Sequence, residues 1–168
     1  MRKVIVLFSF VLCFTSCKKE PFFSNFDTIE YYQLAIEDTI VERVLMENKD
    51  SVLVKTIDGT LPENFKDEIF FSEINSDKFI KREFASDDLN NFINLFNSNV
   101  FLDYDTTACA PNYRDFLILK RGKEVVGIVK ICVRCEMHCI NGIDKNKNFC
   151  GSLEYSELKK LLKKYQSK

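Results

Sequence analysis

Tryptophan is absent from this chain, histidine occurs once, and glycine and proline contribute only five and three of its 168 residues. So little glycine and proline excludes a collagenous or low-complexity chain. A composition 46% hydrophobic and 29% charged is that of a globular domain with one core, not of a disordered segment or a coiled coil. An excess of either charge is also missing, since 24 Lys and Arg stand against 25 Asp and Glu. Neutralising several phosphates takes surplus basic side chains on one face, so this balance argues against nucleic acid as a partner. Long apolar runs are missing too. The longest, Val4 through Phe14, is interrupted by Ser9 and gives way to Lys18, Lys19 and Glu20. A span of the hydrocarbon core needs about 20 apolar residues, so this run is too short to be one.

What that run does have is context. Arg2 and Lys3 precede it as a positive n-region, which is the layout of a secretory signal peptide over residues 1–16. Its end, Phe14-Thr15-Ser16-Cys17, resembles the lipobox of bacterial lipoproteins, with Phe14 where the family usually carries Leu or another aliphatic residue. Cys13 does not fit, because Leu12 before it is too large for the pattern. The resemblance implies a diacylglyceryl group on Cys17, cleavage before it, and acylation of the new amino terminus by a palmitate-type chain. It also implies the membrane as partner and the bacterial cell envelope as address, with Lys18 after the lipidated residue implying outer-membrane sorting. Several acyl chains anchor stably, since each buried CH₂ contributes about 0.8 kcal/mol and one myristoyl chain alone holds marginally. Residues 17–26 then form a lipidated tether, and residues 27–168 a single domain.

Within that domain, residues 28–36, 51–57, 68–74 and 78–84 are rich in Ile, Val, Phe and Tyr and separated by turn-formers such as Asp58-Gly59, which predicts strands. Ile40, Val41, Val44 and Leu45 instead fit helical spacing over residues 38–47. Ser86 before Asp87 and Asp88 predicts a helix start with Ser86 as N-cap. Leu89, Phe92, Ile93, Phe96 and Val100 then recur on one face. Leu158, Leu161, Leu162 and Tyr165 repeat the pattern in a C-terminal helix over residues 152–165. The lysines 159, 160, 163 and 164 opposite them read as its solvated face. Residues 114–121 and 124–134 flank Gly122-Lys123, which predicts a hairpin with a type II′ turn, Phe116 opposite Val129 and Leu117 opposite Ile128. Both faces of this hairpin are apolar near its middle, so it belongs at the centre of a sheet with helical cover; Lys130, Cys132 and Arg134 mark its more polar face. The fold class is therefore α+β: an antiparallel sheet of about five or six strands with a central hairpin, packed by two or three helices including the C-terminal one.

Beyond Cys13 and Cys17 lie Cys109, Cys132, Cys135, Cys139 and Cys150. Export into an oxidising compartment makes disulfides the first expectation, with one thiol left over. The hairpin register brings Cys109 near Glu136, which favours Cys109–Cys135 or Cys109–Cys132. The stretch Cys109-Ala110-Pro111-Asn112-Tyr113-Arg114-Asp115, followed by Ile131-Cys132-Val133-Arg134-Cys135, resembles small bacterial lipoproteins with a C-x-P-x-Y-R-D and I-C-x-x-C arrangement. That resemblance implies no activity. Cys139 and Cys150 look like additions to its pattern and so could bridge to each other.

The rival reading is a thiol-based redox or zinc protein, with Cys132-x-x-Cys135 as redox pair or Cys132, Cys135, His138 and Cys139 as ligands, Cys150 in reserve. Against it, redox pairs sit at helix N-termini whereas this one ends a strand, and structural zinc sites join two ligand pairs across a longer separation. His138 by itself is expected at the surface. Asp144, Asn146 and Asn148 alternate as in a calcium loop, but Phe149 replaces the turn glycine and Tyr155 the bidentate glutamate, which leaves a polar hairpin loop. No paired carboxylates or nucleophile elbow accompany them. The sequence thus points to a cell-envelope lipoprotein acting as a non-catalytic binding or structural module, without cofactor. Replacing the acyl acceptor, Cys17→Ser, is expected to shift the chain from the membrane to the soluble fraction. Mass spectrometry of native membrane-derived protein is expected to find acyl chains on Cys17, and an unmodified Cys17 there would overturn the anchor.

Overall fold

The computed structural model describes residues 26–48, 50–98, 109–142, 149–151 and 155–166. The signal-like segment, Cys17, the tether up to residue 25, Val100, Asp144, Asn146, Asn148 and Ser152 lie outside the described residues.

Six strands form one antiparallel sheet: β1 (Thr28–Leu34), β2 (Phe79–Glu83), β3 (Asp115–Arg121), β4 (Glu124–Cys132), β5 (Met137–Asn141) and β6 (Phe149–Gly151), in the order β2-β1-β3-β4-β5-β6. The hairpin β3–β4 is central, as its double apolar patterning demands. Leu117, Leu119, Val129 and Ile131 point to one face; Phe116, Ile118, Ile128 and Cys132 point to the other, and all eight are buried. Each such aliphatic or aromatic side chain removed from water contributes roughly 1.5–3 kcal/mol, so neither face can stay bare. The first face is covered by α4 (Ser86–Ser98) through Phe92 and Phe96, and by α5 (Tyr155–Lys163) through Leu158 and Leu162. The second is covered by α1 (Asp38–Glu47), α2 (Val52–Ile57) and α3 (Glu68–Ile74) through Val41, Leu53, Ile57, Phe70 and Ile74. The fold is α+β, and the sheet lies between two helical layers with five helices in all among the described residues.

Two segments expected as strands, 51–57 and 68–74, are the helices α2 and α3. Local capping overrides the β-propensity of their Val and Phe residues. Ser51 accepts a hydrogen bond from the Val54 N–H and Asp67 from the Phe70 N–H, each satisfying an orphan amide of a first turn. Leu53 with Ile57, and Phe70 with Ile74, then bury at i, i+4 spacing. The strands that take their place in the count are β5 and β6. Helix α4 starts one residue earlier than a Ser86 cap requires, since Leu89 N–H donates to the Ala85 carbonyl.

Gly122 turns the hairpin with φ +57°, the positive value a II′ turn asks of its first residue. Next to the turn the expected pairing holds, with Arg121 opposite Glu124 and Lys120 opposite Val125. Beyond it a bulge leaves Val126 unmatched, and every later pair slips by one: Leu117 faces Val129 and Phe116 faces Lys130. Lys130 and Cys132, expected on a polar face, are buried because helices cover both faces of the sheet. Lys130 keeps its amine satisfied by donating to the Gly59 carbonyl at 2.7 Å, above the Tyr113 ring.

His138 is buried rather than superficial. It pairs across from Ile131 in the core and meets the Phe96 ring edge-on, with centroids 5.3 Å apart. Burial penalises the imidazolium and pushes its pKa down to about 4 from 6.5. Between these values the unfolded chain binds the extra proton, so stability is lost as pH falls from 6.5 toward 4, by about 3 kcal/mol from this residue. Urea titrations across that range are expected to show a His138→Leu variant losing less stability than the parent, and parallel pH curves would contradict the burial.

Candidate functional site

Where the sheet's covering helices run out, at the end of β1 and the start of β3, a groove of about 530 Å³ opens, within the range of small-ligand pockets. Of three consecutive residues that point in different directions, Arg114 and Asp115 line it, while Tyr113 anchors the segment to the core.

Tyr113 goes into the core. Its backbone N–H donates to the Ile57 carbonyl at 2.7 Å, and its hydroxyl lies 3.0 Å from Cys139 Sγ. A side chain on Gly59 would collide with this ring, and Gly59 also has φ +86°, so only glycine fits there. Lys130 Nζ lies 5.5 Å from the ring centroid. Burial lowers the Lys130 pKa to about 8, with Asp58 opposing the shift.

Arg114 turns toward α1. Its guanidinium donates to the Ile36 carbonyl and forms an ion pair with Asp38, pinning the first turn of a helix that otherwise buries only Val41. Asp115 turns to the opposite side of β3 and is 5% exposed. The Tyr31 hydroxyl donates to its carboxylate, and the side chain of Gln166, just past α5, hydrogen-bonds both groups. Burial raises the Asp115 pKa above the usual carboxylate range, although Tyr31, Gln166 and Arg114 all pull it down. Burial, then the Asp115 charge, also raise Tyr31. The rest of the lining is Gln33, Leu34, Val41, Glu42, Asn112, Val133 and Arg134. A floor of engaged polar groups with apolar sides suits recognition of a ligand.

The sequence-level candidates are distributed around this groove. Cys109 pairs with Cys135 (Cα atoms 6.0 Å apart), joining the strand-entry segment that carries Asn112 to the β4–β5 turn that carries Val133 and Arg134. Cys139 and Cys150 face each other across β5–β6 and form a second bridge. Cys132 is a buried free thiol at 1% exposure. The ligand set of the zinc reading is not brought together: His138 points to the α4–α5 face, Cys132 and Cys139 to the other, and Cys135 and Cys139 are engaged in disulfides. Among the described residues no group of three or more His, Cys, Asp or Glu could hold a metal ion. The pair Cys132-x-x-Cys135 is divided likewise, one member in the core and the other bonded to Cys109. Lys159 and Lys160 on α5, and Lys164 just past it, are paired with Glu136, Glu157 and Asp88, so three of the four lysines of this stretch belong to an ion-paired surface.

Tyr31 and Gln166 escaped the sequence reading, being remote from Asp115 along the chain. The available signal was Asp115 itself, an acid at the head of the apolar run Phe116-Leu117-Ile118-Leu119. No family model, curated protein or solved structure matches the chain.

Because Cys109–Cys135 closes a loop with a sequence separation of 26, its loss should lower stability by about 3 kcal/mol in the chain-entropy model. A Cys109→Ser/Cys135→Ser variant is expected to show that drop in chemical denaturation, together with broadened NMR signals from Asn112 and Val133. Unchanged stability and sharp signals at both would show that the bridge does not hold the groove.

Proposed function

We propose that this chain is a non-catalytic, lipid-anchored module of the bacterial cell envelope, held at the outer membrane through Cys17, that binds a small ligand in the groove at Arg114 and Asp115. The observation that carries the binding role is the groove's construction. A buried carboxylate is fixed from two other elements by Tyr31 and Gln166, and an arginine is locked against α1, so the walls are set before any ligand arrives. Preorganisation of this kind lowers the ordering cost of binding.

The envelope address is supported by the signal-like amino terminus and by two disulfides, which belong to oxidising compartments. No helix among the described residues is long and apolar enough to cross a membrane, so attachment in this reading falls to the lipid on Cys17. The polar groups at the groove's floor are engaged with one another, and the free thiol, Cys132, is buried in the core, which supports recognition over turnover.

NMR with a library of small polar fragments tests the binding role. Amide signals of Leu34, Asn112, Arg114 and Val133 are expected to shift with at least one fragment while those of Gly122 and Lys123, at the opposite end of β3, do not. Shifts confined to residues elsewhere would overturn the assignment of this groove.

A further inference from the structure

Two charges on the groove are uncompensated. Arg114 is engaged by Asp38, and Asp115 by Tyr31 and Gln166. Arg134, exposed in the β4–β5 turn, and Glu42, exposed one helical turn beyond Asp38 on α1, form no ion pair among the described residues. Of the groove's apolar lining Val133 is half-buried and open to a ligand, whereas Leu34 and Val41 lie almost wholly in the core; Asn112 adds an amide.

These features select among ligand charges. A simple anion drawn to Arg134 would meet Glu42, and a simple cation drawn to Glu42 would meet Arg134. A neutral apolar molecule would strip water from both charges and pair neither. A ligand with both signs and an apolar side chain compensates each group and uses the hydrophobic lining. We infer that the groove binds a zwitterion with an apolar side chain, a short peptide with free termini or a single α-amino acid. Arg134 takes the carboxylate, Glu42 the ammonium, Asn112 an amide or carbonyl, and Val133 the side chain. This rests on the groove being a ligand site, and it adds the ligand's class.

The test is calorimetric titration of the full chain in non-ionic detergent with leucine, Leu-Leu and Leu-Leu-Leu. N-acetyl-Leu-Leu and Leu-Leu amide serve as ligands lacking one charge. Free-ended ligands are expected to bind, and capping either end to weaken binding about two- to fivefold, the usual worth of an ion pair with an exposed side chain. Arg134→Gln is expected to abolish the preference for the free acid over the amide while keeping that for the free amine. Glu42→Gln is expected to do the reverse. Tightest binding by leucine would identify an amino acid, and by either longer ligand a peptide, both of which support the zwitterion. Equal affinity for capped and free ligands, or no binding by any free-ended one, would overturn it. In the latter case, fragments that still shift groove signals would leave the groove as a ligand site of another class, whereas a silent groove would remove both readings.

Discussion

A β-hairpin with large apolar side chains on both faces cannot lie on a surface, and the arrangement of the whole chain follows from having to cover β3 and β4 twice. Phe116, Ile118 and Ile128 demand one layer; Leu117, Leu119, Val129 and Ile131 demand another. The chain meets the first demand with the three short helices between β1 and β2, or just after β1, and the second with α4 and the carboxyl-terminal helix α5. β1 and β5 flank the hairpin and satisfy its outer backbone groups, and β2 and β6 do the same for β1 and β5, as exposed amides and carbonyls in a covered sheet would be costly. The bulge at Val126 keeps this scheme consistent, because a one-residue slip assigns Lys130 and Cys132 to the same side as Phe116 and Ile118.

The groove arises from the same requirement. Cover is complete over the middle of the sheet and fails at the end where β3 begins, and there the polar residues Gln33, Arg114 and Asp115 take over from Phe, Ile and Leu. Burying a carboxylate at such a margin requires partners, and these come from a neighbouring strand, Tyr31, and from Gln166, three residues past the last described helix. The groove therefore depends on the docking of α5 and of the residues that follow it.

Elements whose pattern is local were legible in the sequence. The hairpin was visible through Gly122, and α4 and α5 through long runs at helical spacing. The errors have physical causes. Segments of six or seven residues carry too few turns for a period of 3.6 to stand out from one of 2, so α2 and α3 read as strands despite the capping residues Ser51 and Asp67 in front of them. The bulge left no mark that distinguishes Val126 from its neighbours. His138 looked superficial because a single imidazole reveals nothing of the aromatic cluster it joins, and Phe96, its neighbour, lies 42 positions away on another element. At the site, Tyr113-Arg114-Asp115 stood out as a stretch, whereas the contact between Asp115 and Tyr31 spans 84 positions and exists only once β1 and β3 have paired.

The two strands at the margins of the sheet have a further effect, on encounters between copies. β2 carries Lys81, Arg82 and Glu83 in succession, all exposed, and β6 is three residues long and cross-linked to its inner neighbour through Cys150. Charged and truncated margins of this sort discourage another strand from adding to the sheet. On a lipid surface, the setting proposed above, collisions between copies would be frequent and their orientations restricted, and such margins would keep each sheet six strands wide instead of letting it grow into its neighbours.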